Sequence, residues 1–274
     1  MNPQTDVSPQ KPFRVCSLSK MARFRLDLFR EARRYWLFPL WTEVNMDAVV
    51  SLRERQAGSG VRVTFTAFLA KAVADAVAAL KDTHPEINSA ILEFPWKRIA
   101  YFDAVDVAIA CEKRHKGEDY FYVGIIRNAD ALSLEEVASA LKGLAEDKHE
   151  GFFKETLTLV KKPGWLRRLA LWTSRNWASL VRAHRGTVFL SSVGKYGVNG
   201  FAMTNHNISF SFGRVAERPV AVRGQVTTRS TMTLTMVIDH RTINGGPAAR
   251  LMSKVKENLE SCAFHTKEKE RQNG

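Results

Sequence analysis

The most restrictive feature of the sequence is a long alternating segment that runs directly into a glycine-rich turn. From Thr231 to Ile238 the letters TMTLTMVI place an apolar residue at every second position, which is the period of a strand with one buried face. Asp239 and His240 follow, and Gly245-Gly246-Pro247 then form a turn with proline near a helix start. The sequence therefore predicts a strand–turn–helix unit that holds the His240 imidazole on a rigid support.

The remaining segments mix helices and strands without a regular order. Strands are predicted over 41–46, 105–110 and 120–126, with a polar loop from Glu112 to Asp119 between the last two, and the last helix is predicted over 248–264. The run that follows Thr66, AFLAKAVADAVAALK, predicts a helix that is buried nearly all round. Ser133 and Glu136 have the spacing of a capping box at the start of another helix. Because strands and helices do not alternate regularly, we predict an α+β fold in one domain. This domain spans residues 13–264, between a flexible N-terminal tail (1–12) and a polar C-terminal tail (265–274).

One stretch of the 274-residue chain carries much of its positive charge. The 41 basic and 28 acidic residues leave a net charge of +13, and residues 156–216 contain nine basic residues and no acidic one. A basic surface of this kind suits nucleic acid, anionic lipid or a polyanionic molecule such as coenzyme A. Since no nucleic-acid-binding motif is present, nucleic acid is the least favoured of the three partners.

The cellular setting follows from what the sequence lacks. No apolar run approaches the roughly 20 residues that span a bilayer, and the N-terminus has no secretory signal. The three cysteines lie far apart, which gives neither a disulfide framework nor a zinc-binding spacing. We therefore predict a cytoplasmic protein without a metal, either free or attached to the inner face of the membrane.

The segment around His240 resembles a known catalytic signature. Asp239 to Gly246 (DHRTINGG) is similar to the DHRxxDG signature of the dihydrolipoyl acyltransferase component of 2-oxoacid dehydrogenase complexes, and to the related HxxxDG of chloramphenicol acetyltransferase. Further segments resemble that catalytic domain in the same order: 42–47, 63–66 (VTFT), 71–73, 84–88 (HPEIN), 105–110, 125–133 and 186–194 (GTVFLSSVG). The resemblance covers about residues 14–155 and 186–262.

This resemblance implies a chloramphenicol acetyltransferase-like mixed sheet flanked by helices, assembled as a homotrimer with active sites between subunits. It also implies acyl transfer between thioesters and thiols, with coenzyme A or acyl-CoA as one substrate. His240 would act as the general base, and Ser191 would stabilise the oxyanion from across the subunit interface. Ser192 is the weaker of the two serine candidates. Asn244 would hold the turn where relatives commonly have an aspartate.

Alternatives to this interpretation remain open. On spacing alone, a hydrogen-bonded turn residue is the favoured explanation of His240. Only about 40 residues precede the first matching strand, too few for a lipoyl domain, so we expect no covalently attached lipoyl group on this chain. The acyl group would then arrive as acyl-CoA, or on a lipoyl-bearing or acyl-carrier protein in trans. A second hypothesis is a non-catalytic trimeric scaffold that retains the fold and recruits partners to a membrane.

Residues 161–185 form an insertion relative to the resembled family. They contain seven basic residues, three tryptophans and no acidic residue. A single helix through the segment would place apolar residues on one side (Leu166, Leu169, Ala170, Trp177, Leu180 and Val181) and arginines on the other (Arg167, Arg168, Arg175 and Arg182). This pattern is typical of a helix at an anionic membrane surface. A surface helix packed on its own domain, a lid over the active site and a docking site for an acidic partner are the alternatives.

Overall fold

The computed structural model describes residues 17–56, 63–115, 117–146, 150–202, 204, 206–262 and 264. The predicted tails, 1–12 and 265–274, lie outside these residues. The helices are α1 (Lys20–Ala32), α2 (Asp47–Gln56), α3 (Phe65–Leu80), α4 (Leu134–Ala145), α5 (Glu150–Lys161), α6 (Gly164–Asn176), α7 (Ala178–Arg185) and α8 (Gly245–Ser261). The strands are β1 (Leu37–Asn45), β2 (Ser89–Leu92), β3 (Arg98–Tyr101), β4 (Val107–His115), β5 (Glu118–Ile126), β6 (Val188–Ser192), β7 (Ile208–Phe212), β8 (Ala216–Val222) and β9 (Gln225–Asp239).

A mixed sheet is organised around the 15-residue strand β9. The sheet order is β1-β9-β7-β6-β4-β5, and β8 pairs with the first half of β9. The β4–β6 and β6–β7 pairs are parallel, whereas the other pairs are antiparallel. Strands β2 and β3 form a separate hairpin. The predicted α+β architecture, a mixed sheet flanked by helices, is confirmed.

One face of this sheet carries the main hydrophobic core. The alternating apolar residues of β9 (Met232, Leu234, Met236 and Ile238) are all buried, together with side chains of α3 and α8. Helix α3 is buried along most of its surface, as its composition predicts, and includes the buried Lys71. The Lys71 ammonium is compensated by the Asp75 carboxylate at 2.7 Å, which satisfies the requirement that a buried charge be paired.

Two predicted element boundaries are wrong. A polar loop is expected between Glu112 and Asp119, but β4 continues to His115 and β5 begins at Glu118. Backbone pairing therefore extends beyond the apolar part of both strands, because exposed polar side chains do not interrupt a hairpin ladder. The last helix begins at Gly245 and not at residue 248, with Asn244 as its extended N-cap residue.

The opposite face of the sheet is polar near its centre. The strand register aligns Trp41, Thr235, Ser211 and Ser191 in one row across four strands. Trp41 is 72% exposed, and Ser191 is partly exposed. Towards the far edge of the sheet this face becomes apolar, where Phe152 of α5 packs against buried residues of β4, β5 and β6.

The insertion does not form the predicted single helix with outward-facing arginines. Helices α6 and α7 meet at Trp177, whose backbone is extended. Arg167 and Arg175 are buried, and each pairs with an acidic residue of α1. The prediction is wrong because the acidic partners come from distant parts of the sequence. The nearest N–O distances are 2.7 Å for Arg167–Asp27, 3.3 Å for Arg175–Glu31 and 2.9 Å for Arg182–Asp106.

We expect Asp27→Ala to lower the free energy of unfolding by about 3–5 kcal/mol, because the buried Arg167 guanidinium loses its carboxylate. Glu257→Ala is the matched control: it removes a surface pair with Lys254, which is worth at most about 1 kcal/mol. Denaturant unfolding of both variants measures the difference. Equal losses would contradict a stabilising role for the Asp27–Arg167 pair.

Candidate active site

His240 lies immediately after β9, and neighbouring strands fix its position. Its backbone N–H donates to the carbonyl oxygen of Trp36 at 2.8 Å, and its ring lies 4.8 Å from the ring of Phe38 at a tilt of 54°. The side chain is exposed. Within the described residues, neither ring nitrogen has a hydrogen-bond partner. The imidazole is therefore held from behind and presented to the solvent.

A buried carboxylate clamps this turn. Asp239 is 1% exposed and accepts hydrogen bonds from the backbone N–H groups of Trp36 and Arg241, each at 3.2 Å. The Arg241 guanidinium donates to both carboxylate oxygens, with a shortest distance of 2.7 Å. The hydrogen bonds to Asp239 raise the pKa of Arg241 above its usual value. The pair thus fixes both the start of the turn and the residue that precedes β1.

The Glu93 carboxylate links the Asp239–Arg241 ion pair to helix α6. Its carboxylate lies 3.1 Å from Arg241, 3.2 Å from Arg34 and 3.3 Å from Arg175. Burial raises the pKa of Glu93, but the attraction of Arg175, Arg241 and Arg34 outweighs burial and lowers that pKa below its usual value. The turn that carries His240 is thereby connected electrostatically to α6.

Asn244 ends the same turn. Its carbonyl oxygen accepts the N–H of Ala248 at 3.1 Å, while its side chain makes no capping hydrogen bond and is exposed. Thr242 stabilises the turn by donating to the carbonyl oxygen of Asp239 at 3.1 Å. The structure therefore brings His240 and Asn244 together at the two ends of one short, rigid turn.

Ser191 lies in a different part of the sheet. In register it is opposite Ser211, which is opposite Thr235. Two strand spacings of about 4.8 Å and five residues of about 3.3 Å each give roughly 19 Å between Ser191 and His240 of one chain. A single chain does not bring these two residues together. Ser192 accepts the N–H of Gly194 at 3.3 Å and so stabilises the following turn.

His206 is placed opposite His240 when the β7–β9 register is continued by one pair beyond Asn207 and Asp239. It is buried and stacks on Phe189 with ring centroids 4.9 Å apart. Its Nε2 donates to the carbonyl oxygen of Arg185 at 2.9 Å. Burial and, secondarily, the Arg185 charge lower the pKa of His206 to about 3. This histidine is neutral and structural at physiological pH.

Three residues near the turn were missed from the sequence: Trp36, Phe38 and Glu93. The first strand was expected to begin at Trp41, whereas β1 begins at Leu37, so Phe38 was not paired with the end of β9. The available signal was the segment from Trp36 to Trp41, in which every residue except one proline is a large apolar one. Glu93 had no sequence signal, because its three arginine partners are all distant along the chain.

The fold is shared with solved acyltransferase structures. A probable dihydrolipoamide acetyltransferase from Listeria monocytogenes superposes with a TM-score of 0.69 at 20% identity, covering 94% of this chain and 97% of that one. The dihydrolipoamide acetyltransferase of Azotobacter vinelandii gives the same TM-score and identity, covering 96% of this chain and 97% of that one. A serine, a histidine and an asparagine of that enzyme have been investigated for their role in its catalytic mechanism.

Sequence comparison identifies the family. The profile of the 2-oxoacid dehydrogenases acyltransferase (catalytic domain) family matches residues 14–156 and 167–265, and the chain belongs to this family. The predicted insertion at 161–185 is wrong, because the matched part includes all of α7 and most of α6, and only residues 157–166 lie between the two matched parts. It is 29% identical over 257 residues to a probable dihydrolipoyllysine-residue succinyltransferase component of the 2-oxoglutarate dehydrogenase complex of Schizosaccharomyces pombe, covering 89% of this chain and 50% of the relative. An acetyltransferase component from Acholeplasma laidlawii is 26% identical, covering 80% and 36%. The chain thus spans half or less of the length of these two relatives.

We expect His206 to make the protein less stable in mild acid. Its pKa is about 3 in the folded state and near 6.5 when unfolded, so the unfolded state binds the proton first and stability falls as the pH drops below 6.5. Between about pH 6 and pH 5 the free energy of unfolding should fall by about 1 kcal/mol from this residue alone. His206→Gln should remove this slope in urea unfolding, whereas the exposed His184→Gln should retain it. An unchanged slope in His206→Gln would refute the assignment.

Proposed function

We propose that the protein transfers an acyl group between two thiols, with His240 as the general base. The observation that carries this proposal is the exposed imidazole on a clamped turn, in a chain of the acyltransferase family. In the Azotobacter enzyme the investigated histidine and asparagine are four positions apart. His240 and Asn244 have the same spacing, which supports a role for both.

The proposed chemistry needs one proton carrier and one oxyanion donor. The His240 imidazole removes the proton from the incoming thiol, and the thiolate attacks the thioester carbonyl carbon. The Ser191 hydroxyl donates a hydrogen bond to the oxyanion of the tetrahedral intermediate. When this intermediate collapses, the carbon–sulfur bond of the original thioester breaks, and the departing thiolate takes the proton from the imidazolium. Asn244 ends the same turn, where its backbone carbonyl oxygen accepts the N–H of Ala248, and its exposed side chain adds no charge to the site.

We further propose that the site forms between subunits of a homotrimer. The separation of roughly 19 Å within one chain supports this arrangement, because Ser191 must then come from a neighbouring subunit. Trp36, Leu37 and Trp41 expose large apolar surfaces on or beside the edge strand β1, as expected for residues that a second subunit covers.

The proposed substrates are coenzyme A, as its acyl thioester or free thiol, and a second thiol. Dihydrolipoamide on a separate lipoyl-bearing or acyl-carrier protein is the proposed second thiol, since the relatives are named for a dihydrolipoyllysine residue. The competing function is a non-catalytic scaffold with the same fold. Calorimetry separates the two, because a scaffold binds neither coenzyme A nor acyl-CoA.

A second proposal concerns an anionic membrane surface. Large apolar side chains are exposed on α1 and α6: Leu26, Phe29, Trp165 and Leu169. Exposed basic residues occur on or near the same helices: Lys20, Arg23, Arg25, Arg30, Arg33, Lys161, Lys162 and Arg168. This combination supports peripheral binding at the inner face of a membrane. None of the helices in the described ranges has the length and apolar character required to cross a bilayer.

We expect His240→Ala to lower acyl transfer by about 10²–10⁴-fold and Ser191→Ala by about 10²–10³-fold. Mixed trimers made from equal amounts of the two variants should regain activity, because in a closed ring about one quarter of the sites then combine an intact His240 with an intact Ser191. Thiol release from acyl-CoA measures the recovery.

The matched control mixes His240→Ala with Asn244→Ala. Both residues lie on one turn of one chain, so no mixed site gains an intact pair and the activity should stay at the average of the two single variants. Failure of the His240→Ala and Ser191→Ala mixture to recover would refute the intersubunit site. Full activity of His240→Ala would refute the general-base assignment.

For the membrane proposal, we expect co-sedimentation with anionic phospholipid vesicles that partly persists in salt, because the apolar contribution is not screened. Combining Trp165→Ala with Leu169→Ala should abolish the salt-resistant part. Trp96→Ala is the control, since Trp96 is equally exposed (66% against 64% for Trp165) but lies outside α1 and α6. Loss of all binding at moderate salt in the unmodified protein would rule out apolar insertion.

A further inference from the structure

A large cavity lies between helices α6 and α7 and the edge of the sheet. Its volume is about 790 Å³, within the range of about 300–1,000 Å³ typical of ligand pockets. Apolar side chains converge on it from α1, β5, α5, α6 and α7: Phe24, Leu28, Phe121, Val123, Phe152, Leu159, Leu166, Ala170, Leu171 and Leu180. The size and the apolar lining of this space are typical of a pocket for an apolar ligand.

The cavity remains open because its roof is anchored at several points. Arg167 and Arg175 attach α6 to α1, and Arg182 attaches α7 to the buried Asp106 at the start of β4. These ion pairs fix the ends of the roof helices, while the middle of α6 spans the cavity. Helices α6 and α7 therefore do more than cover the sheet, because they form one side of a partly open cavity that the sheet alone does not provide.

The cavity adjoins the catalytic turn. Arg185 and His206 line it on one side, and the same two residues line a small pocket of about 30 Å³ that also contacts Asp239 and Arg241. His206 is opposite His240 in the continued strand register. One layer of side chains thus separates the cavity from the residues that hold the proposed general base.

Charge at the cavity favours an anionic amphiphile. Lys154 and Lys162 line it and are exposed, and neither ammonium forms an ion pair within the described residues. The Glu155 carboxylate lies 3.6 Å from His184. A ligand with a long apolar part and a negatively charged head matches this distribution of apolar lining and basic rim.

We propose that this cavity binds the hydrocarbon chain of a long-chain fatty acid or acyl-CoA, at a site separate from His240. The chain lies among the apolar side chains of α1, β5, α5, α6 and α7. The basic rim formed by Lys154 and Lys162 accommodates the anionic head group, whether the carboxylate of a free fatty acid or the phosphates of an acyl-CoA. Helices α6 and α7 then form the part of the fold that admits a long chain.

The test is calorimetric titration of the full chain with saturated fatty acids from butyrate to palmitate. Binding should tighten by about threefold to fourfold for each added methylene until the cavity is filled, which corresponds to about 0.8 kcal/mol per buried methylene. Primary alcohols of the same lengths should bind more weakly, because they lack the anionic head. An affinity that is independent of chain length would overturn the proposal.

Two small residues of the helices that cover the cavity provide a matched pair of variants. Ala170 of α6 lines the cavity, whereas Ser179 of α7 is exposed and does not. Ala170→Phe should weaken palmitate binding by about tenfold or more and leave butyrate unaffected, because the added ring occupies chain volume. Ser179→Phe should leave both unchanged. Equal effects of the two variants would overturn the proposal.

If Ala170→Phe does not fold, Gly151→Phe replaces it, since a Cβ at Gly151 meets open space and this residue lines the same cavity. Acyl-CoA assays then separate the two proposals. Transfer of short acyl groups that depends on His240, without chain-dependent binding, would refute the cavity proposal and retain the proposed function. Chain-dependent binding without transfer of any acyl group would do the reverse.

Discussion

The ion pair between Asp239 and Arg241 is the interaction on which the rest of the arrangement depends. A carboxylate this deeply buried is stable only when its charge and hydrogen-bonding capacity are fully used, and here the turn itself supplies the donors. Through Trp36 the same carboxylate aligns β1 with β9, and through Glu93 its arginine partner connects to α6. The position of His240 and the position of α6 therefore both depend on one electrostatic network.

The two faces of the sheet have separate tasks. The face beneath α3 and α8 carries the alternating apolar residues of β9 and supplies most of the buried apolar surface. The other face is polar at its centre, where Ser191 is partly exposed, and apolar towards the far edge, where Phe152 of α5 packs on it. A serine on a well-packed strand and a histidine on a clamped turn are both rigidly supported, which is what a site assembled from two subunits requires.

Features that depend on local periodicity were predictable from sequence. The alternation of β9, the all-round apolar character of α3 and the capping box at Ser133 gave elements that the structure confirms. The arrangement of α6 and α7 was not predictable from the sequence. A helical wheel places arginines towards solvent unless their acidic partners are known. Asp27, Glu31 and Asp106 are each more than 70 residues from the arginines of α6 and α7 that they contact. Likewise, sequence motifs identify Ser191 and His240 but contain no measure of the distance between them within one chain.

The buried arginines of α6 have an evolutionary consequence. An isolated guanidinium in the interior costs several kcal/mol, so α6 transferred alone into a relative without acidic residues at matching positions would destabilise its recipient. Conversely, deleting α6 would remove Arg167 and Arg168 from the Asp27 carboxylate and Arg175 from the Glu31 carboxylate. Helices α6 and α7 and the carboxylates of Asp27, Glu31, Glu93 and Asp106 therefore form one heritable unit, whose members are expected to be gained and lost together although they are scattered along the chain.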